Sequence, residues 1–241
     1  MYNIFVGYDT REDISYQVCE YQIKKLNPSS QVTPLVLHEL RSKNLYWRDE
    51  DKLGSTEFTF SRFLIPEITN FNGWALFCDC DILFLDDLKN LFDLCDDKYA
   101  VMCVQHDYTP KPGIKMDGKE QTIYPRKNWS SLVLWNCGHP SNRTVTKEFV
   151  NDPETTGKVL HRFSWLKDEE IGSISHEWNW LAGWYKEPDD GKPKAVHYTE
   201  GGPWFKNYYM QHLSVEWREE YKDMTGHEFL IENTVDFKND T

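Results

Sequence analysis

The stretch Trp74-Ala-Leu-Phe-Cys-Asp79-Cys-Asp81-Ile-Leu-Phe-Leu85 decides how this chain is read. Residues 74–78 form an apolar run of strand length, and a second apolar run, 82–85, follows at once. Between them stand two carboxylates one residue apart. Two like charges at the end of an apolar strand are costly unless a cation pairs with them. The pair is therefore read as the ligand set of a hard divalent cation, Mn2+ or Mg2+, which keeps open positions for water and diphosphate oxygens. The competing reading is an acidic surface turn, since Asp-x-Asp recurs by chance in acidic proteins; the apolar flanks on both sides favour the metal.

Working towards the N-terminus, Tyr2–Tyr8 reads as a strand closing at Gly7, and Thr10 as the cap of a helix whose Ile14, Val18 and Tyr21 share one face up to Asn27-Pro28. Val32–Leu37 is the next strand, so the chain opens β-α-β. Phe60, Phe63, Leu64 and Ile68 recur at helical spacing, with Arg62 off that stripe. Towards the C-terminus a short helix is expected over 86–94, then strands at Tyr99–Val104, Leu132–Trp135 and Lys194–His197. Residues 105–128 carry Pro110, Pro112, Gly113, Gly118 and Pro125 with Lys111, Lys115, Lys119, Arg126 and Lys127, and read as a basic lid loop. The alternation of strands and helices predicts an α/β fold of one domain over 1–241, with ligand chemistry at the carboxyl ends of the strands.

A second constellation is His197-Tyr-Thr-Glu-Gly201-Gly202-Pro-Trp204. A neutral imidazole at a strand end suits Mn2+, and the glycine pair allows backbone N–H groups to approach phosphates. A histidine among aromatics is more often packing, but with the Asp pair it completes a His-plus-two-Asp set.

These residues resemble the family-8 glycosyltransferases, such as glycogenin and the bacterial lipopolysaccharide galactosyl- and glucosyltransferases. The resemblance rests on the β-α-β start with Asp9, the Phe60–Ile68 helix, Asp79-Cys-Asp81 and the late His-x-x-x-Gly-Gly-Pro-Trp. A closer likeness is to small bacterial and phage-type glycosyltransferases, through His106–Lys111, Lys127–Ser131, Asp168–Gly172, Glu177–Leu181 and His197–Pro203. The resemblance implies a GT-A fold, a Rossmann-like mixed sheet flanked by helices. Residues 1–104 would be the nucleotide-binding half, 105–232 the sugar and acceptor half, and 233–241 a frayed polar tail. It implies a retaining transfer of a hexose from a UDP-sugar (UDP-glucose ahead of UDP-galactose) to a glycan or other hydroxyl acceptor. Asp9, with Tyr8, falls where such enzymes hold the nucleobase, and Arg62 where a basic residue helps hold the donor. Asp79 would touch ribose and metal, Asp81 and His197 would ligate the metal, and Asp168-Glu169 would stand beside the reacting sugar.

Two departures from the family pattern stand out. Gly202 replaces a lysine that neutralises the leaving diphosphate, so Arg126, Lys127 or Lys206 must supply that cation. Trp129-Ser130-Ser131 replaces the usual Asn-Ala-Gly. Glu169 in place of glutamine leaves two mechanisms open: a glutamate nucleophile, or a front-face transfer assisted by the leaving phosphate.

Composition narrows the rest. Net charge is −12 and no stretch gathers Lys and Arg with aromatics, which argues against nucleic-acid partners. Ten tryptophans exceed what a core of this size needs and suit sugar rings. Six cysteines without a CxxC pair, no leader and no long apolar run predict a reduced cytoplasmic protein without a transmembrane segment. Two rivals remain. A haloacid-dehalogenase-like phosphatase also ends a strand in Asp-x-Asp, but wants Thr or Val where this chain has Leu83, and wants the motif near its N-terminus. A non-catalytic sugar-binding module has no need of two carboxylates on an apolar strand end.

Overall fold

The structure is a computed structural model, and it describes residues 1–49, 56–107, 126 and 128–236. In chain order the strands are β1 (Asn3–Gly7), β2 (Gln31–Leu35), β3 (Trp74–Cys78), β4 (Ile82–Phe84), β5 (Val101–Val104), β6 (Leu132–Asn136), β7 (Ile171–Ile174), β8 (Trp180–Leu181) and β9 (Ala195–His197). The α-helices are α1 (Asp13–Leu26), α2 (Leu37–Ser42), α3 (Ile65–Ile68), α4 (Leu88–Phe92), α5 (Lys147–Asn151), α6 (Gly157–His161) and α7 (Ser214–Thr225).

The main sheet has the order β2-β1-β3-β6-β5-β7 and the small one β4-β9-β8. Strands β1, β2 and β3 run parallel, β6 is antiparallel to both β3 and β5, and β7 is parallel to β5. This is the single-domain mixed α/β fold that the strand–helix alternation predicts. Apolar runs such as 74–78 and 132–136 are buried along almost their whole length, as strands covered on both faces must be.

Several local expectations are corrected. Asp9, rather than Thr10, caps the first helical turn: its Oδ1 accepts from the Arg11 amide, and a 3-10 turn over Thr10–Glu12 leads into α1. The Phe60–Ile68 segment is a 3-10 turn, Ser61–Leu64, followed by the short α3. The run at Val32 stops at Leu35, because Leu37 already begins α2. The Ile171–Ile174 and Trp180–Leu181 strands carry no clear alternation in sequence, since β7 contains a glycine and β8 is two residues long. Of the expected tail, residues 233–236 are described: the Val235 amide donates to the Trp204 carbonyl, and Val235 bridges Phe205. The Lys111, Lys115, Lys119 and Lys127 part of the expected lid lies outside the described residues.

The tryptophans are mostly structural. Trp135, Trp178, Trp180, Trp204 and Trp217 are fully buried, while Trp47 and Trp184 are the ones exposed. A second apolar cluster joins Val18 of α1, Leu83 of β4, Val196 of β9 and Trp217 of α7 around Trp204. Trp217 meets Trp204 at 5.3 Å between ring centroids and Phe229 edge-on at 5.0 Å. Gly202 is fixed by the same packing, since a Cβ there would fall 2.0 Å from the Trp204 ring. The cluster clamps the small sheet, and with it His197, against α1. Trp217→Ala is expected to cost about 3–5 kcal/mol in urea unfolding; a loss below about 1 kcal/mol would mean that α7 does not secure the small sheet.

Candidate metal and donor site

The Asp79-Cys80-Asp81 link joins β3 of the main sheet to β4 of the small one. The ladder of β3 and β6 extends one step past Cys78, where the Asp79 amide donates to the Ser131 carbonyl at 2.8 Å. At the other end of the link, Ile82 lies opposite His197, and the Tyr198 amide donates to the Asp81 carbonyl at 3.0 Å. Ser15 of α1 donates to the Cys80 carbonyl at 2.8 Å. One carboxylate oxygen of Asp79, one of Asp81 and one nitrogen of His197 thereby lie within 4.8 Å of one another. This is the three-residue set the sequence nominates.

Electrostatics at this point are one-sided. Asp79 Oδ1 accepts from Arg62 Nη1 at 2.7 Å, and Arg62 Nη1 also donates to the Ser130 carbonyl at 3.0 Å. The guanidinium sits 5.0 Å from the centroids of both Phe58 and Phe77, so Arg62 is held in an aromatic slot. Burial pushes the Asp79 carboxyl up to about 7; Arg62 opposes that and Asp81 adds to it. Asp81 Oδ2 lies 3.5 Å from His197 Nε2, while Asp81 Oδ1 is buried without a hydrogen-bond partner. Burial favours neutral His197, but the Asp81 and Asp79 carboxylates outweigh it and raise its pKa above the ordinary histidine value. A further acid, Glu12, is buried beside them. Burial, then the Asp81 and Asp9 charges, hold it well above the usual carboxylate range, and its Oε1 is also unpartnered. The orphaned buried oxygen of Asp81 and a converging Asp-Asp-His set of O and N donors fit a hard divalent cation.

The other nominated residues are placed as follows. Asp9 is fully buried, and both its oxygens are taken, Oδ1 by the Arg11 amide and Nε, Oδ2 by Arg11 Nη2 and the Glu57 amide. Burial alone would raise its pKa, and the Arg11 hydrogen bonds bring it below the usual carboxylate value. Tyr8 is half-buried, its hydroxyl donating to Asp13 at 2.8 Å. The Gly201 amide is spent on the Tyr198 carbonyl at 2.8 Å, so it has no N–H to offer a phosphate. Lys206 is exposed and faces Asp236 at 3.4 Å. Lys127 lies outside the described residues.

Asp168 and Glu169 are not brought into the cluster. They precede β7, whose first residue, Ile171, pairs with Val101; its last, Ile174, pairs with Val104 and points to the same sheet end as Cys78. Glu169 is exposed, and Asp168, 85% exposed, pairs with Arg126, whose guanidinium lies 5.2 Å from the Trp129 ring. Sequence reasoning gave no role to Glu12, Ser131, Asn179 or His106, all of which the fold collects near this sheet end. His106, Ser131 and Asn179 lay within motifs singled out beforehand, His106–Lys111, Lys127–Ser131 and Glu177–Leu181, while Glu12 lay in none. His106 is buried, its Nδ1 within 3.0 Å of the Tyr185 hydroxyl, and burial and His197 bring its pKa down to about 3.

No family model matches the chain. Among solved structures it resembles the glycosyltransferase GlyE of Streptococcus pneumoniae TIGR4, with a TM-score of 0.62 and 16% identity over 91% of this chain and 59% of that one. It also resembles the bifunctional glycosyltransferase WbbM (TM-score 0.60, 15% identity, 91% of this chain and 49% of that one). The galactosyltransferase LgtC in complex with donor and acceptor sugar analogs matches with a TM-score of 0.55 and 13% identity, over 92% and 96% of the two chains. The chain spans about 59% of GlyE and 49% of WbbM. Together these likenesses define the fold as the GT-A type of glycosyltransferases. The chain belongs to the family of Protein CDI of Arabidopsis thaliana, to which it is 59% identical over 209 residues, 85% of this chain and 80% of that protein. Among the described residues no helix is long and apolar enough to cross a membrane.

The buried ion pair yields a direct test. Arg62→Met is expected to destabilise the protein by about 3–5 kcal/mol, because it strands Asp79 in the interior, and adding Asp79→Asn should recover part of that loss. Equal losses in the single and double variants would show that the two charges are not coupled.

Proposed function

We propose that this protein is a divalent-metal-dependent glycosyltransferase that moves a sugar from a nucleoside diphosphate donor to an acceptor hydroxyl. The observation that carries the proposal is the convergence of Asp79, Asp81 and His197 at the carboxyl end of β3 in a GT-A-type fold. Bound there, Mn2+ or Mg2+ would act as a Lewis acid on the diphosphate and lower the cost of charge on the leaving group. Asp81 and His197 would ligate it, and Asp79 would share it while facing the ribose. Arg62 holds the Asp79 carboxylate in place and opposes the burial that raises its pKa.

UDP is the nucleotide we infer, with glucose ahead of galactose as the sugar, on the family-8 resemblance of the motifs. Residues 1–104 would then bind the nucleotide, and 105–232 the sugar and acceptor, a glycan or another hydroxyl compound. Because Asp9 has both oxygens engaged, its part in holding the base would be to set the Tyr8–Arg11 turn. With the Gly201 amide engaged, cations beside the diphosphate would come from Arg126, Lys127 or Lys206. We further infer retention of configuration. The exposure of Glu169 and its place before β7, at the sheet end away from the cluster, favour the front-face version, in which neither Asp168 nor Glu169 attacks. Six free cysteines, five of them buried, support a reducing, cytoplasmic setting.

The phosphatase and sugar-module rivals are both addressed by ligand binding. UDP with Mn2+ is expected to raise the melting temperature well beyond UDP or Mn2+ alone, since each ligand binds only the folded state. Asp81→Asn should abolish that synergy and all turnover while leaving the protein folded. A larger shift with GDP or ADP would move the donor assignment, and full activity in EDTA would end the metal proposal. Glu169→Gln is expected to keep most of the activity; a loss of several orders of magnitude, with azide rescue of Glu169→Ala, would make Glu169 the nucleophile instead.

A further inference from the structure

His197 reaches the Asp79–Asp81 pair with one ring nitrogen while the other is held from behind, and the holding groups form a chain with only one consistent direction. Its origin is the turn Asn128–Ser131, where Asn128 takes the left-handed conformation (φ +62°) that asparagine tolerates. Ser131 Oγ donates to the Asn128 carbonyl at 2.7 Å, and a carbonyl can only accept. The Ser131 hydroxyl hydrogen is thus committed, and Oγ is left as an acceptor. Asn179 Nδ2 donates to it at 2.9 Å. The opposite orientation of the amide would set two acceptors around one hydroxyl hydrogen. Asn179 Oδ1 is therefore the atom facing His197 Nδ1, at 2.8 Å, and the ring must carry a hydrogen on Nδ1. In the neutral imidazole the lone pair is then on Nε2, the nitrogen 3.5 Å from Asp81 Oδ2.

We propose that Asn179 is a positioning residue that locks His197 into the Nδ1–H tautomer and so presents its Nε2 lone pair, preformed, to a divalent cation shared with Asp79 and Asp81. This rests on the metal-dependent reading given above and adds to it how the site is made ready before a metal arrives. The same turn also receives the Asp79 amide at the Ser131 carbonyl and Arg62 Nη1 at the Ser130 carbonyl, so one rigid segment references His197, Asp79 and the cation beside it. Asn179 and Ser131 are 0% and 3% exposed, so water cannot take over either link. Trp129-Ser130-Ser131, which departs from the family's Asn-Ala-Gly, acquires a purpose: its last serine anchors the relay. An outer hydrogen bond that fixes the tautomer and aim of a ligand histidine is a general means of raising its basicity and affinity.

The test combines a spectroscopic signature with a binding constant. Long-range proton–nitrogen correlation spectra of histidine-labelled, metal-free protein at alkaline pH should show His197 in the Nδ1–H form. Mn2+ affinity, followed by the paramagnetic signal of the free ion, should fall about 10–100-fold in Asn179→Leu, whereas Asn179→Asp, which keeps an acceptor opposite Nδ1, should retain most of it. The wild-type spectrum needs no variant, so it decides even where Asn179→Leu fails to fold. Wild-type protein that binds Mn2+ with His197 in the Nε2–H form overturns this inference alone. A folded Asn179→Leu with unchanged Mn2+ affinity does the same. Wild-type protein without Mn2+ affinity overturns the metal-dependent reading and, with it, the purpose assigned to the relay.

Discussion

Everything in this molecule is arranged around an imbalance of charge at the end of one buried strand. Asp79, Asp81 and Glu12 come together where β3 leaves the main sheet, and among the described residues Arg62 is the one buried lysine or arginine. One guanidinium cannot compensate three acids. Glu12 meets the shortage by being held towards its neutral form, and Asp79 by its bond to Arg62. Asp81 keeps one oxygen without any partner. A fold that maintained this arrangement for stability alone would do better with apolar side chains of similar volume. The arrangement makes sense as a cation site whose ligands are assembled in advance.

The architecture follows from the need to hold that point steady. The Asp79–Asp81 link is anchored on each side by backbone hydrogen bonds, to Ser131 just before β6 of the main sheet and to Tyr198 just after β9 of the small one. The small sheet could swing if nothing loaded its outer face. Trp204, Trp217 and Phe229 supply that load and tie β4 and β9 to α1. Tryptophans that seemed in excess for a core turn out to build a second core. Gly202, in turn, is a glycine because the Trp204 ring occupies the space of its side chain.

The strand 74–78 was legible to the residue because a wholly apolar run between a glycine and a charged pair leaves one interpretation, and the Asp79–Asp81–His197 set followed from strand ends meeting at one face. Short-range geometry was less accessible. Asp9 and Thr10 are both good caps in sequence, and what selects Asp9 is its bonding to Arg11 and to Glu57, far along the chain. β7 and β8 were hidden because their pairing, not their pattern, makes them strands. Asn179 sat inside a recognised motif yet revealed no role, since its meaning depends on Ser131, 48 residues away, and on the direction of a hydroxyl hydrogen. Asp168 and Glu169 show the reverse case, in which the motif resemblance is clear and the sheet register places both residues off the cluster.

The central claim is that these three side chains bind one divalent cation together with a nucleoside diphosphate. Anomalous diffraction at the manganese edge, from crystals grown with Mn2+ and UDP, tests it most directly. The account predicts a single strong peak bounded by carboxylate oxygens of Asp79 and Asp81 and by His197 Nε2, with diphosphate density on its open side. A peak elsewhere, or ordered UDP with no metal between it and Asp81, would contradict it.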